Sequence, residues 1–203
     1  MKKEGKGLFI VIEGNDGAGK TTQRELLGNY LRELGKEVYL TREPYDSEYG
    51  RRIKALVVSD EGNKLSDDEW LELFTLDRKE HLKKEVLPDL EQGKIVICDR
   101  YDYSTCIYQL KDENKWKEYM PQFLRPDLTF IILVPTKIAM QRLHSRDRKI
   151  TVFEKERMIE ERREKYERIA LIGDNIKKID GSRDIEGVFA QIKGEIDKFL
   201  GLE

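Results

Sequence analysis

Histidine and cysteine are both scarce: the 203 residues contain only His81, His144, Cys98 and Cys106. Two histidines give little material for a histidine-based metal site or a Ser-His-Asp triad. The cysteines lack the paired spacing of a thiolate metal site, and reduced thiols in a cytosolic protein are the simplest reading. Long apolar runs are missing too. No stretch nears the ~20 residues that span a bilayer. The first residues, MKKEGKG, lead straight into a strand-like segment, so a soluble, cytoplasmic protein without a membrane partner is expected. Neither sign of charge is in excess, with 38 Lys plus Arg against 40 Asp plus Glu and a net charge of −2. That balance provides no general attraction for nucleic acid, so any anionic ligand must be gripped locally. Charged residues nevertheless make up 38% of the chain, above the usual ~25%. The abundance of Glu, Lys and Arg resembles thermophile usage.

Short apolar runs alternate with longer amphipathic stretches. Residues 8–12, 95–98 and 128–134 are continuous apolar runs of strand length, and 38–40 and 176–179 are weaker candidates. Runs apolar on both faces suit central strands of a parallel sheet covered by helices. Helical patterns fall over 21–34, from Ser66 through Trp70, Leu73 and Phe74, and over 136–146, 154–172 and 185–200. Gly35 has the place of a C-cap glycine, and Ser66 with Glu69 forms a capping box. This alternation predicts a doubly wound α/β fold with no internal repeat or low-complexity linker, hence one domain over 1–203.

Residues 14–21, Gly-Asn-Asp-Gly-Ala-Gly-Lys-Thr, match G-x-x-x-x-G-K-[ST], placed after a strand and opening a helix. Such a loop turns successive backbone N–H groups into one concavity, and the helix N-terminus adds its positive end. Gly14, Asn15, Asp16, Gly17, Ala18, Gly19 and Thr22 are therefore expected around ATP. Lys20 should reach the β- and γ-phosphates, and the Thr21 hydroxyl should bind Mg²⁺. Asp99 and Arg100 directly follow the 95–98 run, where ligands sit in open α/β sheets. A carboxylate there suits the metal, and the arginine suits a phosphoryl group.

These motifs resemble the thymidylate kinases, among the P-loop nucleoside monophosphate kinases. The resemblance rests on Glu13-Gly14-x-Asp16-Gly17-Ala18-Gly19-Lys20-Thr21-Thr22-Gln23, on Thr41-Arg42-Glu43-Pro44, and on Asp99-Arg100-Tyr101 with Ser104-Thr105 and Tyr108-Gln109. It spans about residues 8–190. It implies a three-layer P-loop kinase fold with a five-stranded parallel sheet and a short lid over about 142–153. The implied reaction is phosphoryl transfer from ATP to dTMP with Mg²⁺, by a homodimer.

The same resemblance implies individual roles. Arg42 binds the acceptor phosphate, with Asp16 near the sugar and phosphates. Phe74 stacks on the base and Arg78 bonds its edge; four apart, they share one helix face. Thr105, beside Ser104, reads the other edge, Tyr108 lies against the sugar and disfavours a 2′-hydroxyl, and Ser104 and Gln109 are also implied in the substrate site. Family members carry an arginine in the cradle or in the lid. Gly17 occupies the cradle position, so Arg146 and Arg148 are the catalytic lid candidates beside Lys20, Arg100 and Asp99. Arg142 and Arg183, the latter in a loop near the adenine, complete the ATP contacts. Read in isolation, Phe74 belongs to an apolar stripe and Arg78 to a solvated, lysine-rich run.

Phosphoryl transfer needs positive charge more than a base, because the acceptor phosphate is already largely dianionic. Asn15 and the polar stretch 110–116 depart from the family pattern, the second near the base pocket. Two rivals stay open here. One is a kinase for another nucleotide or a free deoxynucleoside, with Glu13 or Asp16 as its base. The other is a P-loop switch that hydrolyses nucleotide without an acceptor.

Overall fold

The computed structural model describes residues 7–145, 156–171 and 175–202. Five strands, β1 (Leu8–Gly14), β2 (Val38–Arg42), β3 (Ile95–Asp99), β4 (Leu128–Leu133) and β5 (Ile176–Asp180), form one sheet ordered β2-β3-β1-β4-β5. Every pairing is parallel. β1 and β3 are buried at every residue and β4 at all but its last. Their unbroken apolar sequences follow from this, since helices cover both faces of the sheet.

Alternation along β1 divides the core. Ile10 and Ile12 face α1 (Lys20–Glu33), α7 (Thr136–His144) and α9 (Ile185–Leu200), packing with Leu27, Leu31, Ala139, Ile192 and Ile196. Phe9 and Val11 face the other way, toward α5 (Asp102–Gln109), α6 (Trp116–Tyr119) and α8 (Glu156–Ile169), through Cys106, Ile107, Trp116, Tyr166 and Ile169. A third cluster, Ile53, Trp70 and Leu73, joins α2 (Glu48–Leu56) to α3 (Asp67–His81) beside the sheet. After α3 the chain passes through a π-helical turn, Leu82–Val86, into α4 (Leu87–Glu91).

The expected strands are all present, with β1 reaching Gly14, two residues beyond its predicted end. Gly35 lies just past α1 in the left-handed region, at φ 74°, as a C-terminal glycine should. The predicted 136–146 helix ends at His144. Of the expected lid, 142–145 are described and 146–153 lie outside the described residues.

Strand order reverses at β1, whose neighbours are β3 and β4. The crevice beyond its carboxyl end is therefore the natural ligand site. Register fixes what arrives there: Asp99 pairs with Ile12 on one side and with Arg42 on the other.

The capping box at Ser66 is complete. The Glu69 carboxylate accepts from the Ser66 N–H at 2.7 Å, and Ser66 Oγ accepts from the Glu69 N–H at 3.3 Å. Ser66→Ala should lower stability by about 1 kcal/mol, read as a shifted urea midpoint with an unchanged slope.

Candidate active site

The loop after β1 owes its shape to two left-handed glycines, Gly17 at φ 80° and Gly19 at φ 86°. A Cβ at Gly17 would sit 2.6 Å from the Ala139 carbonyl oxygen of α7. This position excludes any side chain, so a cradle arginine cannot stand here without moving α7. Gly19 precedes α1 and offers no side-chain cap, which leaves the first-turn N–H groups for a ligand.

Lys20 is folded back onto its own loop, its Nζ donating to the carbonyls of Gly14 and Asn15 at 2.9 Å each. Burial, followed by the nearby Arg100 charge, pushes the Lys20 pKa down to about 8, against the opposing pull of Asp99 and Asp16. Thr21 Oγ1 donates to Asp99 Oδ2 at 2.7 Å, joining the start of α1 to the end of β3. A hydroxyl and a carboxylate at the phosphate loop are hard oxygen donors of the kind Mg²⁺ takes alongside phosphates and water. Among the described residues there is no cluster of three or more His, Cys, Asp or Glu side chains to make an all-protein metal cage.

Arg100 is held in the left-handed region at φ 71°, a conformation that costs a non-glycine residue free energy and marks a constrained position. Its N–H donates to the Ile12 carbonyl at 3.0 Å. Its guanidinium pairs with Asp16 and donates to Ser104 Oγ at 3.0 Å. The second Asp16 oxygen accepts from the Tyr108 hydroxyl at 2.8 Å. Burial opposes ionisation of Asp16, but Arg100, Lys20, the Tyr108 hydroxyl and Arg162 outweigh it and lower its pKa. Glu13, one residue before the loop, is fully buried. It accepts from the N–H groups of Tyr101 (2.8 Å) and Ser104 (3.0 Å) and from the hydroxyls of Ser104 (2.7 Å) and Tyr166 (2.8 Å). Every bond that a base there would need is already made.

A second pocket adjoins the cradle, and the two share Asp16, Arg42, Glu43, Pro44 and Arg100. Arg42 is exposed at the end of β2, facing both. Phe74, Arg78, Ser104, Thr105, Tyr108 and Gln109 line the second pocket, so the structure brings every expected acceptor residue to one place. Gln109 is buried, and among the described residues neither of its amide atoms is bonded. Ser104 gives its proton to Glu13 and accepts from Arg100, so it also holds the arginine in place.

Arg78 is only 1% exposed, unlike the solvated residue its charged neighbours suggest. Its Nε donates to both Glu43 oxygens (3.2 and 3.0 Å), and its Nη2 donates to Glu43 at 2.5 Å and to Thr105 Oγ1 at 2.9 Å. Nη1 donates to the Tyr119 hydroxyl at 2.9 Å. Of five N–H donors, one on Nη1 is left over among the described residues. Burial works against the Glu43 charge, but Arg78 and His81 outweigh it and lower its pKa. Glu43, Tyr119 and Arg162 were missed in sequence; only Glu43 carried a signal, its place in Thr41-Arg42-Glu43-Pro44.

Arg142 donates to the Arg183 carbonyl at 3.2 Å, and Arg183 pairs with Asp180 at 3.6 Å. The two come together at the loop after β5, and neither lines the shared pockets. Arg146 and Arg148 lie outside the described residues.

Two outcomes follow from these charges. Arg78→Met would strand the buried Glu43 carboxylate and should destabilise the fold by ~3–5 kcal/mol in denaturant titrations at neutral pH. The folded-state pKa of Glu43 lies below its ordinary 4.5. Its pairing therefore stabilises fully above that pH, and the stabilisation is lost as pH falls through the lower folded value. Separately, Lys20 must be protonated to grip polyphosphate. ATP affinity should fall as pH rises through about 8, and calorimetry in buffers of different ionisation enthalpy should show proton uptake near that pH. Binding with no proton uptake there would mean an ordinary lysine.

Comparison with known proteins agrees with this geometry. The family model described as Thymidylate kinase matches residues 12–192. A "Probable thymidylate kinase" of Thermococcus kodakarensis is 38% identical over 208 aligned positions, covering 97% of this chain and all of the relative. A "Thymidylate kinase" of Thermosipho africanus is 35% identical, covering 95% of this chain and 99% of the relative. A "Probable thymidylate kinase" of Pyrococcus abyssi is 44% identical over 70% of this chain and 72% of the relative. With its parallel sheet, phosphate loop and adjoining pocket, the chain belongs to the thymidylate kinase family and has the P-loop kinase α/β fold.

Proposed function

We propose that the chain transfers the γ-phosphoryl group of ATP to dTMP, giving ADP and dTDP. The observation that carries this reading is the shared wall between the two pockets: Asp16, Arg42 and Arg100 belong to both. A phosphate cradle for hydrolysis alone has no use for a second, base-sized pocket opening onto the same arginines.

The donor side is assigned to the loop N–H groups of residues 14–22, with Lys20 leaving the Gly14 and Asn15 carbonyls for the β- and γ-phosphates. Thr21 and Asp99 would hold Mg²⁺. Held there, the metal would offset part of the negative charge of the phosphates. Arg100, braced by Asp16 and Ser104, is assigned to the migrating group, and Arg42 to the acceptor phosphate. Arg142 and Arg183 are assigned to the adenine end, and Arg146 and Arg148 to the lid charge that Gly17 cannot supply. No carboxylate acts as base. Glu13 is saturated with hydrogen bonds and Asp16 is held ionised by its cations, whereas a dianionic phosphate acceptor requires no deprotonation. This speaks against the free-nucleoside rival.

For the base, Phe74 supplies a stacking face and the leftover Arg78 N–H a donor, beside Thr105. The Gln109 amide, unbonded among the described residues, offers N–H donors and a carbonyl acceptor, complementary to the imide edge of thymine. Family membership also supports a cytoplasmic homodimer of single-domain subunits. Among the described residues, no helix is long and apolar enough to cross a membrane.

The test is ADP formation from ATP and Mg²⁺ with dTMP, dUMP, UMP, thymidine or no acceptor. Turnover should require the nucleotide and be highest with dTMP. dUMP should be about 10- to 200-fold poorer in kcat/KM, the worth of a methyl pocket. Lys20→Met should lower kcat with dTMP by roughly two to three orders of magnitude. ADP release that ignores the acceptor would defeat the proposal.

A further inference from the structure

Arg162 is in the middle of α8, outside the motifs that carry the family resemblance, and only 5% exposed. Its neighbour Arg163 turns outward and pairs with Glu160 and Glu167 on its own helix. Arg162 turns inward. Its Cζ lies 3.9 Å from the centroid of the Tyr108 ring, and its Nη1 lies 4.0 Å from Asp16 Oδ2. That oxygen is the one accepting from the Tyr108 hydroxyl. Tyr108 and Asp16 line the acceptor pocket and Arg162 does not, so Arg162 backs the wall that the other two present.

The Tyr108 ring is restrained at its tip and on its faces, where Arg100 also approaches, its Cζ 5.2 Å from the centroid. The hydroxyl bond to Asp16 fixes the tip of Tyr108. A planar guanidinium close over the ring resists tilting of its face, through dispersion and through attraction to the ring quadrupole. Burying an arginine is costly unless its charge is matched, and Asp16 supplies an anion here. A lysine would keep the charge but not the flat face.

We propose that Arg162 is a positioning residue for the acceptor nucleotide: it fixes the Tyr108 ring and steadies Asp16 from behind the pocket, and so sets acceptor affinity and sugar discrimination. This rests on the proposed dTMP kinase reading, in which Tyr108 faces the sugar. Through Arg162, α8 braces the wall of the acceptor pocket from behind.

The test compares the unmutated chain with Arg162→Met and Arg162→Lys. It measures kcat and KM for dTMP, for its ribose counterpart 5-methyluridine 5′-monophosphate, and for ATP. Arg162→Met should raise the dTMP KM about 3- to 30-fold, the worth of a partly desolvated cation–π contact. It should lower the deoxy-over-ribo preference by a similar factor and leave the ATP KM within about twofold. Arg162→Lys should recover less than half of the lost preference on a logarithmic scale. Should the Met variant not fold, the Lys variant alone carries the test, with a reduced preference at unchanged ATP KM expected. In a Tyr108→Ala background, replacing Arg162 should change the preference no further.

A folded Arg162 variant with unchanged preference, or a change that persists without Tyr108, would overturn the assignment. Absence of dTMP turnover in the unmutated chain would overturn the kinase reading itself and, with it, the role of Arg162. That result is read before any variant is made, so the two failures are distinct.

Discussion

Asp16 accepts hydrogen bonds from Arg100 and Tyr108 and lies within Coulombic reach of Lys20 and Arg162. A cluster of cations intended for phosphate would repel itself in the free protein. A fixed carboxylate among them supplies the countercharge and lets all three be held partly or wholly out of water. Asp16, Arg100 and Tyr108 are therefore assembled before substrate arrives, whereas Lys20 has still to leave the Gly14 and Asn15 carbonyls. Arg100 takes an unfavourable backbone conformation to reach this carboxylate, and the Ile12 carbonyl and Ser104 hydroxyl keep it there.

Two further buried carboxylates extend the same device outward. Glu13 ties the end of β1 to the start of α5 and, through Tyr166, to α8. Glu43 ties the turn after β2 to α3 through Arg78 and His81. Burial raises the pKa of Glu13 in spite of Arg100 and its hydrogen bonds, whereas the cations around Glu43 and Asp16 win over burial. Three acids close together thus hold a scaffold, an arginine and a phosphate site, and the transfer uses none as a base. A reaction whose acceptor is already anionic permits this allocation.

The sheet and the cradle were legible because their signals are local. Apolar runs such as 95–98 have the length and composition of central strands between helices, and the glycine spacing before Lys20 states its own backbone geometry. The short helix α5 was not legible as a helix. Its eight residues, DYSTCIYQ, are too few to establish a 3.6-residue period, and Asp102, Thr105 and Gln109 are buried beside Tyr103, Cys106 and Ile107. Arg78 pointed to solvent in sequence because the residues after it are charged. Its partner Glu43 is 35 positions away, and only the fold joins them. The choice between Arg162 and Arg163 was equally hidden. Both are arginines on one helix, and only their angular position about its axis sends one to Tyr108 and the other to surface glutamates.

The most direct test of this account is the steady-state kcat of Asp16→Asn at saturating ATP and dTMP, with folding checked by its thermal transition. Without the charge at Asp16, Arg100 and Tyr108 lose their common anchor. The account predicts a fall on the order of 100-fold in a folded enzyme, the usual effect of a small misplacement at a reacting centre. A folded Asp16→Asn enzyme with kcat within about twofold of the unmutated chain would contradict the central place given to this carboxylate.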